Sequence, residues 1–330
     1  MVLRSGKMPA WLGVDAPYHD VALSSRARYM RNLAGLPLPN EANSAQLAEI
    51  MERVIDAVKS ERIALHVQKN LTNAERDHLV SMRLVSPDFP WLELGRALML
   101  DESQTVSVMV NEEDHLRIQA LTAGWSIDNA DHAARACLDR FDAKLEFARD
   151  DKGYVASSPA NSGNGKRLSV MFHLIGLAQV GELQEVLTAL LNLNIDARGV
   201  FGEASRAIGA YFQVSVVKPR REEFVGACEY LVRKEREARQ SVDRSTVEEK
   251  AEEAARFVEG SPKLSLSDCL RVLAWIRWAA CADIGRFAGK TRMVDSWLTL
   301  LEVRTISEVN EQSRLRADFL RKCLGSMSNQ

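Results

Sequence analysis

Long apolar runs are absent from this sequence. The longest apolar stretch lies around residues 272–281, is interrupted by Arg277, and is too short to span a bilayer. The first residues include Arg4 and Lys7 but no apolar segment of the kind that a signal peptide needs. We therefore expect no membrane association and no export, and we predict a cytoplasmic protein.

Cysteine and net charge are also scarce. The five cysteines are scattered and form no Cys-X-X-Cys pair, which favours reduced thiols over disulfides or a zinc site. The 43 Lys and Arg residues nearly balance the 45 Asp and Glu residues, leaving a net charge of −2. With no dominant run of one sign, nucleic-acid binding is not expected.

The 330 residues suffice for two domains with a proper core.

One strongly charged segment follows a predicted strand. Residues 105–109 alternate in polarity as a half-buried β-strand does, and residues 110–119 continue as V-N-E-E-D-H-L-R-I-Q. Three consecutive carboxylates beside a histidine and an arginine fit a cleft where acids and bases act better than they fit a core. A solvated junction between strand and loop is the alternative interpretation.

Three further segments carry patterned sequences. They read S-S-R-A-R-Y-M-R-N-L at residues 24–33, S-P-A-N-S-G-N-G-K-R-L-S-V at 158–170, and R-G-V-F-G-E at 198–203 with F-Q-V-S at 212–215. Together with N-E-E-D-H-L-R at 111–117, they resemble in order and spacing the motifs of the ATP:guanidino phosphotransferases. That family includes the arginine and creatine kinases and the bacterial protein arginine kinases. The short N-terminal region and the F-Q-V-S ending are more similar to the bacterial enzymes.

The resemblance implies an ATP site. Five arginines match the family residues that clamp the phosphates, as suits permanently cationic planar donors: Arg26, Arg28, Arg117, Arg167 and Arg198. Arg83 stands near the nucleotide at a position that is usually histidine. Neighbouring residues of the same segments are also expected to contact ATP: Ser24, Ser25, Ala27, Leu168, Ser169, Val170, Met171, Gly199, Val200, Phe201, Gly202 and Glu203. Mg²⁺ is expected to accompany ATP, held mainly by the phosphate oxygens.

Phosphoryl transfer to a guanidinium group also needs carboxylates that orient the nitrogen and accept its proton. By resemblance, Glu113 matches the base and Glu203 the second orienting carboxylate. His115 and His173 show no metal-ligand spacing, so we expect structural or hydrogen-bonding roles for both, with His173 in a helix.

Several positions depart from the family pattern. Ser158 stands where the family has a reactive cysteine, and Ala160 stands where it has a hydroxyl residue. A thiolate can lie against the substrate as an anion, whereas serine offers a neutral dipole, so we expect transfer slowed roughly a hundredfold or more. Arg206 replaces a glutamate of the bacterial pattern. Residues 312–317 lack the Arg-Asp that begins the family's phosphoarginine-recognition motif, so that regulatory site is not expected.

Two functions therefore remain open. The first is a kinase that phosphorylates arginine side chains of proteins, and the intact arginines with Glu113 and Glu203 favour it. The alternative is a weakened or inactive nucleotide-binding homologue that acts as a regulator or adaptor in protein quality control. The changes at Ser158, Ala160 and Arg206 support this second interpretation.

We predict an α+β protein in three parts: a loose lead-in at 1–20, a catalytic domain at 21–243, and a helical domain at 244–330. Patterns predict strands at 105–110, 153–157 and 212–218, and helices at 44–58, 167–180, 221–239, 246–258, 266–281, 291–302 and 307–324. The resemblance implies a phosphagen kinase, glutamine synthetase-like fold with an antiparallel sheet flanked by helices, and dimerisation through the helical domain. Trp275, Trp278 and Trp297 fit either an internal core or that interface.

Overall fold

An antiparallel β-sheet forms the centre of the protein. The computed structural model describes residues 8–59, 66–67, 70–199, 207–217, 221–301 and 308–327. The strands are β1 (Ala22–Arg31), β2 (His66–Val67), β3 (Ala97–Leu100), β4 (Val106–Val110), β5 (Leu116–Ala123), β6 (Arg149–Asp150), β7 (Gly153–Tyr154), β8 (Lys166–His173), β9 (Asp196–Gly199) and β10 (Tyr211–Val217). Eight of them make one sheet in the order β2-β3-β4-β5-β1-β8-β10-β9, and β6 and β7 make a second, two-stranded sheet.

Helices flank this sheet, and the described residues after β10 form helices and no further strand. They are α1 (Ser44–Val58), α2 (Asn73–Ser81), α3 (Ile127–Asp142), α4 (Ile175–Val180), α5 (Leu183–Asn192), α6 (Arg221–Gln240), α7 (Arg244–Gly260), α8 (Leu266–Cys281), α9 (Thr291–Leu300) and α10 (Val309–Met327). The predicted α+β class with a helical C-terminal part is confirmed. Within the described ranges, none of these helices combines the length and apolarity that crossing a membrane requires.

The two faces of the sheet differ in chemistry. Alternate residues such as Ala27 of β1 and Ile118 of β5 enter the main core, which α1, α3 and α6 cover. Because successive side chains of a strand point to opposite faces, the residues between them, such as Arg26 and Arg117, face away from this core. Helices α1, α3 and α6 thus bury one face, while the other face carries these arginines and also packs against two smaller cores, through Met171 and Leu121.

The helix predicted at 167–180 is wrong in its first half. Residues 166–173 form β8, which pairs with β1 on one side and β10 on the other, and only Ile175–Val180 is helical. Leu168, Val170 and Phe172 alternate into the core, so strand pairing satisfies both the backbone and this apolar face. His173 therefore ends a strand and does not lie in a helix.

The strand predicted at 153–157 is also shorter in the structure. Only Gly153–Tyr154 is a strand, because Ser157 donates its backbone N–H to the Asp114 carboxylate at 2.7 Å instead of to a neighbouring strand. The predictions at 105–110 and 212–218 correspond to β4 and β10, with residue 218 outside the described ranges.

A second core joins the C-terminal helices to the sheet. Apolar residues of α7, α8, α9 and α10 pack there with Leu23, Met171 and Tyr211 from the sheet. Trp278 and Trp297 are buried in this core, and Trp275 stacks on Trp278 with ring centroids 5.4 Å apart. These contacts favour the internal-core interpretation for Trp278 and Trp297.

The lead-in is partly packed. A 3₁₀ turn at Ala10–Gly13 buries Trp11 and Leu12 in a third, smaller core beside α2. Residues 10–13 therefore lie against the folded protein and are not a loose segment.

Candidate active site

Four arginines meet on the sheet face that the core leaves uncovered. Arg26 and Arg28 occupy alternate positions of β1, the central strand. In β8, Arg167 lies directly beside Arg28, and in β5, Arg117 lies beside Met30. Strand alternation and register together therefore bring residues from three distant segments onto one surface.

These arginines repel one another. Burial lowers the pKa of Arg26 to about 9, and repulsion from neighbouring arginines, chiefly Arg117, adds to the shift. Burial and then repulsion from Arg26 also lower the pKa of Arg28 well below its ordinary value. The Nε atoms of Arg28 and Arg167 are buried and have no hydrogen-bond partner among the described residues. Such a surface fits a polyanion, which would satisfy these donors and offset the repulsion.

Acidic and hydroxyl groups orient two of the arginines. Arg117 forms an ion pair with Glu112 at 2.7 Å, and Glu112 also accepts a hydrogen bond from the Ser86 hydroxyl at 2.6 Å. Burial opposes ionisation of Glu112, but attraction to Arg117 and the bond from Ser86 outweigh it and lower its pKa. Arg117 is thus held by a carboxylate that stays charged at neutral pH.

Strand β9 supplies a matching arrangement at the other side of the cluster. Arg167 donates to the Ser215 hydroxyl at 2.8 Å and lies 3.4 Å from the Asp196 carboxylate. Asp196 also pairs with Arg198 at 2.6 Å, and the Arg198 side chain is largely exposed. Arg198 therefore joins the edge of the cluster.

The three consecutive carboxylates lie in the tight turn between β4 and β5. Asn111 begins this turn with a positive φ of 55° and donates through its side chain to the carbonyl oxygens of Leu47 at 2.9 Å and Gly95 at 2.6 Å. Its backbone N–H bonds to the His115 carbonyl oxygen at 3.0 Å, which closes the turn. Glu113, at the apex, is exposed beside the arginine surface.

One buried asparagine connects this turn to two other motifs. The Asn32 amide donates to Asp114 at 2.7 Å, and its oxygen accepts the His115 backbone N–H at 2.8 Å. Ser157 donates its N–H to Asp114 and its hydroxyl to the Glu113 carbonyl oxygen at 2.6 Å. The segment that contains Ser158 is therefore tied to the backbone of Glu113.

Glu113 has the properties of a proton acceptor. Partial burial, followed by repulsion from Asp114 and Glu112, raises its pKa above the ordinary value. A carboxylate with a raised pKa accepts a proton more readily near neutral pH. Attraction to Arg117 and Arg28 limits this rise and reflects how close the carboxylate lies to the cationic surface.

His115 has the hydrogen-bonding role that was expected. Its Nδ1 accepts the Leu33 N–H at 2.9 Å, so Nε2 carries the hydrogen that is donated to the Pro37 carbonyl oxygen at 2.8 Å. Burial lowers its pKa and keeps the ring neutral. His173 is buried far from this turn, stacked on Tyr211, and burial likewise lowers its pKa.

Not every expected nucleotide-binding side chain reaches the arginine surface. Ala27, Leu168 and Val170 pack into the main core on the opposite face. The buried Ser25 hydroxyl donates to the Gly124 carbonyl oxygen at 2.8 Å and accepts from Ser126, so it too faces away. Ser24 is buried.

Other expected side chains lie on or beside the surface. Ser169 accepts from Arg26 at 3.4 Å, Met171 contacts the Arg83 guanidinium, and Gly199 ends β9. Several expected residues, together with Arg206, lie outside the described residues: Val200, Phe201, Gly202 and Glu203.

Three residues that organise this site had no predicted role. Asn32, Glu112 and Asp196 hold the turn and the arginines in place. Asn32 and Glu112 lie inside the quoted motifs, and this position was the feature of the sequence that could have predicted a role for them. Asp196 precedes its motif by two positions, and only strand pairing reveals its proximity to Arg167.

Comparisons with known proteins agree with this geometry. Residues 46–219 match the model of the ATP:guanido phosphotransferase C-terminal catalytic domain. The chain is 34% identical to a protein-arginine kinase of Moorella thermoacetica over 85% of each chain, and 30% identical to one of Desulforamulus reducens over 97% of this chain and 96% of the relative. A 38% identical match to a protein-arginine kinase of Halothermothrix orenii covers 62% of this chain and spans only 60% of the relative's length.

Solved structures support the fold alone. Lombricine kinase superposes with a TM-score of 0.56 at 19% identity, over 70% of this chain and 72% of its own. The taurocyamine kinase of Schistosoma mansoni gives 0.58 at 19% identity, over 81% of this chain and 41% of its own. With its family model, its long alignments and this fold in agreement, the chain belongs to the ATP:guanido phosphotransferase family.

Proposed function

We propose that this protein is a kinase that transfers the γ-phosphoryl group of ATP to the guanidinium group of arginine side chains in proteins. The observation that carries the proposal is the arginine surface with the raised-pKa carboxylate of Glu113 at its edge. The triphosphate carries concentrated negative charge, which the arginines can bind. The guanidinium nucleophile needs a carboxylate beside them to accept its proton.

The arginines would bind the triphosphate. Arg28 and Arg167 have buried Nε donors available, and Arg117 is oriented by Glu112. Mg²⁺, held chiefly by phosphate oxygens, would neutralise part of the charge that develops during transfer. Because these groups sit on paired strands, they are positioned before the nucleotide arrives, and little reorganisation is needed.

Glu113 would activate the nucleophile. Its carboxylate orients the guanidinium and accepts one proton as the nitrogen forms its bond to phosphorus. The bond between that phosphorus and the oxygen bridging to the β-phosphate breaks, and ADP leaves with the electron pair. Ser157 donates hydrogen bonds to the Asp114 carboxylate and to the Glu113 carbonyl oxygen. These bonds hold the turn that carries Glu113 and keep its carboxylate aligned for this step.

Protein substrates are proposed because Glu113 lies exposed at the apex of a turn, where an arginine on a large molecule can reach it. Relatives named protein-arginine kinase at 30–38% identity support the same substrate class. The weakened or inactive homologue remains the second candidate, because Ser158 and Ala160 replace the cysteine and hydroxyl of the family pattern.

Transfer of labelled phosphate into an arginine-rich protein tests the proposal. We expect acid-labile, base-stable incorporation by the wild type, its loss in Glu113→Gln, and no loss in Glu146→Gln, which makes the same change at an exposed carboxylate. Ser158→Cys combined with Ala160→Thr should raise the rate roughly a hundredfold or more. No transfer by either the wild type or the restored variant, with ADP binding intact, would establish the inactive homologue instead.

We also propose a homodimer that forms through the helical part from α7 onward. The exposed Phe257 on α7 offers an apolar contact there. Light scattering of the full-length protein should give twice the monomer mass, and Phe257→Glu should lower it. A monomer at micromolar concentration would contradict the dimer.

A further inference from the structure

A groove lies beside the turn that carries the catalytic carboxylate. Helix α2 forms one wall through Arg76 and Val80, and the loop at residues 87–93 forms the other. Its volume is about 450 Å³, which lies in the range of pockets that bind ligands or side chains. None of its lining residues belongs to the arginine surface.

Contacts within the loop hold this wall together. Pro87 and Pro90 restrict the backbone, and hydrogen bonds from Phe89 to Ser86 at 3.2 Å and from Trp91 to Phe89 at 2.8 Å fold the loop tightly. The rings of Phe89 and Trp91 pack edge to face with centroids 4.8 Å apart. A wall held in this way loses little freedom when it binds a partner.

Both ends of this loop are attached to the active-site turn. At one end, the Ser86 hydroxyl bonds to Glu112 at 2.6 Å. At the other end, Arg96 pairs with Glu93 and donates to the Asn111 carbonyl oxygen. The loop that forms this wall is therefore bonded at both ends to the turn that carries Glu113.

The chemistry of the groove suits a polypeptide. Leu92 is 86% exposed at its rim, and the Trp91 ring is only half-buried, so both offer apolar surface to a partner. Arg76 lies over the Trp91 ring at 5.7 Å, and its Nε has no hydrogen-bond partner among the described residues. An apolar side chain fits against Trp91 and Leu92, and a peptide carbonyl oxygen fits Arg76.

We propose that this groove binds the polypeptide segment next to the target arginine, taking one apolar side chain of the protein substrate between α2 and the loop at residues 87–93. The proposal rests on the proposed kinase function, since it names a subsite of that same active site. It makes the enzyme selective for arginines that have an aliphatic or aromatic neighbour in an extended segment.

Leu92 and Leu94 provide a matched pair for the test. Both leucines are exposed, at 86% and 75%, but only Leu92 lines the groove. With a Gly/Ser peptide that carries one arginine and one leucine, Leu92→Ala and Trp91→Ala should raise KM about fivefold, with kcat unchanged. Leu94→Ala should leave KM unchanged, and so should any of these variants when the peptide lacks its leucine.

Direct binding separates this proposal from the kinase assignment. Fluorescence anisotropy of the labelled peptide should show the same fivefold weakening in Leu92→Ala without any turnover. If the wild type binds the peptide through Leu92 but transfers no phosphate, the groove stands as a peptide site and the kinase assignment falls. Equal peptide affinity of the wild type and Leu92→Ala would overturn the groove proposal. So would a Leu92→Ala variant that alters the mass of the dimer but not the affinity for the peptide.

Discussion

At the scale of single residues, the arginine cluster carries an energetic conflict. Folding places Arg28 in a partly buried position beside Arg26 and Arg117, and its lowered pKa means that the protonated form is less favourable in the folded than in the unfolded state. At neutral pH the charge of Arg28 therefore opposes folding. Active sites commonly accept such a loss of stability because the same groups bind the ligand.

Arg28→Met should therefore separate stability from binding. We expect the melting temperature of the nucleotide-free protein to rise, because the buried positive charge is removed while the side-chain stem is kept. ADP affinity should fall about tenfold or more, since a charge-assisted hydrogen bond is lost. Thermal melting with and without ADP, together with calorimetry, measures both effects.

Arg135→Met is the matched control, because Arg135 is exposed on α3 and pairs with Asp139 at 2.7 Å. Neither its melting temperature nor its ADP affinity should change appreciably. An unaltered ADP affinity in Arg28→Met would show that this arginine does not contact the nucleotide.

At the scale of elements, the turn between β4 and β5 is organised from outside. Asn32, at the end of β1, bonds to both Asp114 and the His115 backbone, and is 1% exposed. The turn contributes the carboxylate, but its neighbours in space determine where that carboxylate points. Such a turn carries a functional residue but depends on contacts with the rest of the protein for its conformation.

Asn32→Ala tests this dependence. Because the buried His115 N–H would lose its acceptor and Asp114 would keep, among the described residues, only the bond from Ser157, we expect a loss of about 1–3 kcal/mol in the free energy of unfolding. We also expect kcat to fall while ADP affinity is retained, since Asn32 bonds to Asp114, Val155 and His115 and to none of the four arginines. Asn129→Ala, which removes an exposed amide that bonds to Ser126, should change neither quantity. Retention of kcat in Asn32→Ala would contradict a positioning role.

At the scale of the whole molecule, a buried ion pair joins three parts of the chain. Arg277 of α8 is 0% exposed and pairs with Asp295 of α9 at 2.6 Å. Its remaining donors reach the carbonyl oxygens of His19 at 2.7 Å and Asp20 at 2.8 Å, just before β1. The helical part is thereby connected to the strand that carries Arg26.

Asp295→Asn should destabilise the whole molecule. It leaves the buried Arg277 without a charge partner, which typically costs about 3–5 kcal/mol. Asp139→Asn, the same change in an exposed pair, should cost less than about 1 kcal/mol. Urea unfolding followed by fluorescence measures both, and equal stability of the two variants would show that the junction is not held by this pair.

Much of the site could be predicted locally. Arg26 and Arg28 share a face because strands have a period of two, and the resemblance to the family motifs predicted Glu113 and Arg117 as site residues without any coordinates. Helices with a clear apolar face, such as α1, were also predicted at their observed bounds. Such features depend on neighbouring residues alone.

The sequence by itself determined the family, the α+β class and the charged side chains, because these follow from local patterns and motif order. Only the tertiary structure decided that 166–173 is a strand and that Arg167 lies beside Arg28. Only the tertiary structure revealed the bond between Asn32 and Asp114. The physical reason is that strand pairing and buried hydrogen bonds join residues far apart in the chain. Any other arrangement would leave these backbone and side-chain groups unpaired, and this free-energy cost outweighs the local helical tendency of a short apolar run.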